Sequence, residues 1–300
     1  MLPGVPKIPM EPQDLGYSII VPVKAINDYI IESVPITLKI NRTDLEIIIL
    51  PNDMPTGPLP DFLLDPRVSI VASGKVSPAV KRDLGAKISK YENLAFLDDD
   101  AYPRIDWLDE ADKAFALSGA EAIGGPGITP LDSSLSELAS GLFFETYIGG
   151  GGMDYRYRSV GRNFFVDDFP TVNLIVKKAA FDSIGGFDNN YWPGEDTKFC
   201  LDFVNAGFKI WYCSDVVVYH HRRTLFRPHL KQVGNYGKHR GYFAKKFPQT
   251  SARLTYFAPS IFLVGSILLL LLGIFNAAFL KLYILLMAVY FFIAVLDVFS

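Results

Sequence analysis

The stretch NLAFLDDDAYP, Asn93 to Pro103, decides how the chain is read. Leu94 to Leu97 is a short apolar run that reads as a buried strand, and the chain then presents Asp98, Asp99 and Asp100 where that strand leaves the core. In an open α/β sheet, ligands collect outside the carboxyl ends of the strands, so acids there are placed to hold a divalent cation against a phosphate. The same acids have a second reading. Pro103 opens a helical pattern that runs to about Ser118, and carboxylates just ahead of a helix are favoured by its dipole and by capping.

Outward from this stretch, strand and helix patterns alternate. Tyr17 to Val23 and Leu45 to Leu50 are compact β-branched runs separated by a helical pattern over Asn27 to Ile40, which predicts a β-α-β unit with parallel strands. A strand at Arg67 to Ala72 and a helix from Pro78 to about Tyr91 lead into the acid cluster. After it the spacing predicts a strand at Glu121 to Gly124 and a helix over Leu131 to Tyr147, then four glycines, Gly149 to Gly152. A strand at Thr171 to Val176, a short helix over Lys178 to Ile184 and a helix from Gly194 to Asn205 follow. Strands at Lys209 to Cys213 and Val216 to Tyr219 then close on His220 and His221.

The formal net charge of −3 conceals an uneven distribution. Arg222 to Arg253 holds nine Lys or Arg and no Asp or Glu. Immediately beyond, no charged residue occurs between Arg253 and Lys281, nor from Leu282 to Leu296. At ~1.5 Å per residue this tract reaches roughly 64 Å, enough for two crossings of a ~30 Å hydrocarbon core with a turn near Asn276 to Lys281. The expectation is a transmembrane hairpin, multi-pass, with the basic run holding the preceding domain on the cytoplasmic face. Membrane lipids, and no nucleic acid, are the expected partners of that basic run. The two cysteines, Cys200 and Cys213, form neither a metal spacing nor a disulfide framework. The expected organisation is a Pro-rich tail over 1–16, an α/β domain over 17–221, a basic interfacial segment over 222–253 and the hairpin over 254–300.

Three signals stand in a fixed order: LDDD after a strand, FDSIGGFD leading into GED at a helix start, and a strand ending in YHHRR. Together they resemble the family 2 inverting glycosyltransferases with the GT-A fold, a Rossmann-like, mainly parallel mixed sheet with flanking helices. The basic segment followed by membrane helices looks like the membrane-anchored members that build exopolysaccharides or glycolipids. The resemblance implies a nucleotide-diphosphate sugar donor, Mn²⁺ or Mg²⁺, and a lipid-linked or saccharide acceptor.

Site residues carry over motif by motif. Asp98 and Asp100 match the outer positions of the DXD motif, with Asp100 as the direct metal ligand and Asp99 at the variable position. His220 or His221 resembles the family's additional metal ligand; His220 is preferred. Asp196 of GED matches the general base, with Glu195 positioning base or acceptor. Pro22, Val23 and Asp53 match the nucleoside contacts, although the family commonly shows two acids where this chain has Asn52-Asp53. Lys81, Arg82 and Asp83 match the helix beneath the diphosphate, with Asp83 where Asn is usual. Processive members carry QxxRW; here Gln232 and Arg240 are separated and the tryptophan is missing, which implies a non-processive or differently closed site, with Arg240 as a candidate diphosphate contact. The alternatives are a catalytically silent GT-A subunit of a membrane polysaccharide-assembly complex, and a nucleotidyltransferase. The intact acids oppose the first. The absence of a Gly-rich basic loop after the first strand opposes the second.

Overall fold

The computed structural model describes residues 16–298. Apart from Gly16, the expected Pro-rich tail lies outside the described residues, as do Phe299 and Ser300.

The chain begins with β1 (Tyr17–Pro22), α1 (Asp28–Thr37), β2 (Leu45–Leu50), β3 (Val68–Ile70), α2 (Pro78–Ile88) and β4 (Asn93–Leu97). Next come β5 (Ala101–Pro103), α3 (Trp107–Ser118), β6 (Ala122–Gly124), β7 (Gly127–Ile128) and α4 (Leu135–Glu145). Then follow β8 (Phe164–Val166), β9 (Asn173–Lys177), α5 (Lys178–Ser183), α6 (Glu195–Asn205), β10 (Ile210–Tyr212) and β11 (Val218–His220). The chain closes with α7 (Arg227–Lys246), α8 (Pro248–Ser251), α9 (Leu254–Phe275) and α10 (Ala277–Val298).

These elements divide into two units. The first comprises the chain through Ile128 together with Ser159–His220. Its main sheet has the order β3-β2-β1-β4-β9-β6-β10-β8. Strands β1 to β4 run parallel, as the β-α-β reading requires, while β9 is antiparallel to both its neighbours and β8 to β10. Every residue of β1, β2 and β4 is buried, which is why these strands read as continuous apolar runs rather than alternating ones. Helix starts follow local chemistry: Asn27 caps α1 by accepting from Ile30 N at 3.0 Å, and Ser77 precedes Pro78 at the first position of α2.

One prediction requires correction. Pro103 does not open a helix but ends strand β5, and α3 starts only at Trp107. A second, three-stranded sheet in the order β5-β11-β7 captures this segment. Tyr102 and Tyr219 stack across it with ring centroids 5.2 Å apart, and Pro103 is tolerated because β5 is an edge strand. His220 is likewise the last residue of β11 rather than the residue after it.

The second unit comprises Thr129–Arg158 and the chain from His221 onward. Its α9 and α10 are two 22-residue helices, long and apolar enough to cross a membrane, and no residue of either is buried. They fit a hairpin turning at Asn276, with Phe262 and Tyr290 in contact at 4.9 Å between ring centroids.

Candidate active site

The site is built at the carboxyl ends of β1, β2 and β4. Beyond β4, the three aspartates diverge. Asp98 Oδ1 accepts from Arg82 Nη2 at 2.7 Å. Asp99 Oδ2 accepts from Asn27 Nδ2 at 2.6 Å. Asp100 is 7 % exposed and places Oδ1 3.2 Å from His220 Nε2. This last meeting is a matter of register: β11 pairs antiparallel with β5 so that His220 stands opposite Ala101, the residue after Asp100.

Arg82 joins the acid cluster to the start of α6. While Nη2 serves Asp98, Nη1 donates to Glu195 Oε1 at 3.0 Å, and the side chain is 5 % exposed. Its guanidinium lies over the Phe187 ring, 5.8 Å from the centroid, and among the described residues Nε is buried without a hydrogen-bond partner. Phe187 is itself fixed by Asp83, whose Oδ1 accepts from Phe187 N at 2.9 Å. The turn that permits this contains Gly186 at φ +75°, where a Cβ would stand 2.6 Å from that same Asp83 oxygen. Asp83 thus ties α2 to the approach of α6.

Lys81 is buried, and its ammonium meets Val23 O, Leu50 O at 3.0 Å and Asn52 Oδ1 at 2.7 Å. An ammonium has three donors, so these oxygens use its hydrogen-bonding capacity and join the ends of β1 and β2. Burial holds its pKa below the usual lysine value, partly offset by Asp53 and Asp99. Asp53 itself is exposed, and Pro22 and Val23 are buried at the end of β1.

Glu195 and Asp196 occupy the first turn of α6, where the helix dipole favours carboxylates. Asp196 is half-buried, with Oδ1 accepting from Thr197 N at 2.7 Å. Burial raises the pKa of Glu195, and the neighbouring Asp196 charge pushes it further, against the lowering pull of Arg82. Asp99 is also raised, first by burial and then by Asp100 and Asp98.

Of the expected site residues, the first unit therefore links Asp98, Arg82 and Glu195 in one bridge, and Asp100 with His220 in a second pair. His221 and Arg240 belong to the second unit, where Arg240 lies over the Tyr256 ring at 4.8 Å and donates to Ser251 Oγ at 3.3 Å. Sequence reasoning missed Asn27, Asn52 and Phe187. Asn27 stood in the sequence only as the start of a helical pattern, and nothing local marks Asn52 or Phe187 as partners of Lys81 or Arg82.

The donor set suits a hard divalent cation only in part. Among the described residues, no group of three His, Cys, Asp or Glu side chains could hold an ion unaided. A carboxylate oxygen and an imidazole nitrogen 3.2 Å apart supply two donors, and the surrounding carboxylates exceed the cations in number. The remaining positions would fall to ligand oxygens and water, the usual arrangement when a cation is held jointly with a phosphate.

The family model for glycosyl transferase family group 2 matches residues 94–295. A pre-mycofactocin glycosyltransferase of Mycobacterium tuberculosis is 27% identical over 177 residues, covering 59% of this chain and 37% of that protein. The glycosyltransferase AglE of Haloferax volcanii is 28% identical over 163 residues, covering 52% of this chain and 48% of that protein. The chain thus spans less than half the length of these relatives. Among solved structures, the mannosyltransferase PcManGT from Pyrobaculum calidifontis, in complex with GDP-Man and Mn²⁺, superposes with TM-score 0.55 at 16% identity, covering 81% of this chain and 67% of that one. GalNAc-T7 with UDP, GalNAc and Mn²⁺ gives TM-score 0.53 at 12% identity over 81% and 52%. Both likenesses carry the GT-A fold.

Proposed function

Since the chain belongs to glycosyl transferase family group 2, its best-matched reaction is sugar transfer, and we propose an inverting, metal-dependent glycosyltransferase acting from a nucleotide-diphosphate sugar onto a lipid-linked or membrane-presented acceptor. The observation that carries this reading is the Arg82 bridge, which fastens Asp98, two residues before Asp100, to Glu195, the residue before Asp196. Two carboxylate groups distant in sequence are thereby held to one guanidinium.

In this reading Asp196 is the general base. The acceptor hydroxyl attacks the anomeric carbon from the face opposite the diphosphate; the new C–O bond forms as the bond to the phosphate oxygen breaks, and the hydroxyl proton passes to the Asp196 carboxylate. Glu195, held by Arg82, positions that turn of α6. Asp100 and His220 would hold a Mn²⁺ or Mg²⁺ ion, whose contribution is positive charge against the departing diphosphate. The two solved neighbours, each titled with Mn²⁺ and a nucleotide or nucleotide sugar, support the cofactor and donor class. Lys81 and Asp83 act at one remove, Lys81 by shaping the loops that follow β1 and β2 and Asp83 by seating Phe187 under Arg82. Asp53 is left as the nucleoside contact. The domain is read as facing the cytoplasm, anchored by α9 and α10.

The test is transfer or hydrolysis of a panel of nucleotide sugars by the full chain in detergent, with Mn²⁺, Mg²⁺ or chelator. Turnover that is unchanged in Asp100→Ala and in Asp196→Asn excludes these roles.

A further inference from the structure

Helix α4 is built inside out. Leu135, Ala139, Leu142 and Phe143 fall at i, i+4, i+7 and i+8, a single helix face, and all four are exposed. The opposite face buries Ser140, Gly141 and Phe144. Ser140 Oγ is 2.7 Å from His229 Nδ1, and a Cβ on Gly141 would stand 2.1 Å from Thr129 Oγ1, so the inward face is closely packed. A helix in water reverses this pattern, because a large apolar side chain left exposed forgoes the free energy that burial would give it.

What covers the stripe follows from its connections. The backbone N–H groups of Tyr147 and Ile148, just past the end of α4, donate to Asp297 Oδ1 and Oδ2 at 3.0 and 2.7 Å. Asp297 lies near the end of α10, one of the two bilayer-length helices in which no residue is fully buried. At the other end of α4, Leu225 N donates to Ser136 Oγ at 2.9 Å, joining that end to the segment that carries the exposed Phe226 and Leu230. They open α7, which exposes Arg227, Lys231, Lys238, Lys245 and Lys246 and carries no acid. An exposed apolar stripe tied at one end to a bilayer-length helix and at the other to the segment leading into a cation-rich helix matches a helix lying in a lipid interface.

We infer that α4, extended by Phe226 and Leu230, is a third membrane-contacting element that lies in the interfacial plane of an anionic bilayer, fastened to the hairpin by the Asp297 carboxylate. This rests on α9 and α10 forming a bilayer hairpin, and its test separates the two claims. The full chain is reconstituted in nanodiscs containing phosphatidylglycerol, with Leu135→Cys, Phe143→Cys or Leu268→Cys carrying an environment-sensitive dye; Cys200 and Cys213 are buried and stay unlabelled. Lipids bearing a nitroxide quencher near the headgroup or deep in the acyl chain report depth. Dye at 135 and 143 should lose most of its emission to the shallow quencher and less to the deep one, with the order reversed at 268. Quenching at 268 while 135 and 143 remain at the level of dye in water overturns the inference and leaves the hairpin standing. No quenching at 268 overturns both. Shielding at 135 and 143 that grows with protein concentration and ignores both quenchers assigns the stripe to a second copy of the chain and also overturns it.

Discussion

Asp100 Oδ1 and His220 Nε2 lie 3.2 Å apart because two short strands, each of three residues, pair in the register that sets His220 opposite Ala101. A carboxylate and an imidazole brought together this way are chemically suited to flank a cation. Replacing Asp100 by Ala should therefore reduce transfer by at least about 10²-fold, and His220→Ala by about 10–100-fold, with the His220 variant partly restored by raised Mn²⁺. A metal titration of turnover reads both effects. An unchanged Mn²⁺ midpoint in His220→Ala would remove that residue from the metal site.

Arg82 bridges two carboxylates with a guanidinium almost sealed from solvent. Breaking a buried pair by removing one partner costs about 3–5 kcal/mol, because the abandoned charge stays buried. Arg82→Ala should fall in that range, toward its lower end because Asp98 is 33% exposed. Arg82→Lys keeps the charge but cannot serve both acids with a planar fork, so it should regain stability more than turnover. Chemical denaturation and turnover of both variants distinguish a bridge that positions α6 from one that only stabilises it; equal recovery of both properties in Arg82→Lys would favour the latter.

Asp196 and Glu195 share the first turn of α6 but not the same surroundings: Arg82 donates to Glu195, whereas Asp196 Oδ1 accepts from Thr197 N. Asp196→Asn should lower kcat by about 10²–10⁴-fold with little change in donor affinity, the signature of a lost base. Glu195→Gln should have a smaller effect on kcat and a larger one on stability. Reversal of that ranking, read by steady-state kinetics beside donor-binding titration, exchanges the roles.

The strand and helix alternation of the first unit was legible because β1, β2 and β4 are buried on both faces and so appear as unbroken apolar runs. The hairpin was legible from its uncharged length. The small sheet was not: β5 has three residues and ends in Pro103, a residue that starts helices as readily as it ends edge strands, so only the pairing with β11 decides between them. For the same reason the side-chain partners stayed hidden. LDDD and GED announce acids, but nothing near either announces that Arg82 will serve both, and nothing near Lys81 announces that its charge will be turned onto Val23, Leu50 and Asn52. Likewise, the apolar spacing of α4 marked a helix without saying which way its stripe would face.

Asp99 gives a pH signature of the acid cluster. Burial raises its pKa in the folded protein, so its protonated form is favoured there; that contribution is full below the unfolded carboxylate value of about 3.9 and is lost as pH rises through the elevated folded value. At neutral pH the buried charge therefore works against folding, offset by the Asn27 amide. Asp99→Asn keeps an oxygen for that amide and removes the charge, and should raise the unfolding temperature by about 2–4 °C near pH 7 while leaving it unchanged near pH 4. Thermal unfolding in detergent at the two pH values measures this.

His229 should give the opposite sign in the second unit. Burial lowers its pKa, and the ring sits against Phe143 and Phe144 with Nδ1 on Ser140. A depressed histidine contributes stability above its unfolded pKa of about 6.5 and loses it as pH falls through the lower folded value, because the imidazolium must be formed inside an aromatic cage. The groups packed nearby do not reverse this: Arg222 is a cation donating to Thr129 Oγ1, and Glu145 accepts from that same hydroxyl. Acidification should therefore loosen α7 from α4, seen as faster hydrogen exchange in both helices at pH 5 than expected from the intrinsic rate alone. His229→Gln, which can still hydrogen-bond Ser140 but does not titrate, should show the same protection at pH 5 and pH 8. A pH-dependent loss in that variant equal to the parent's would place the sensitivity on another group.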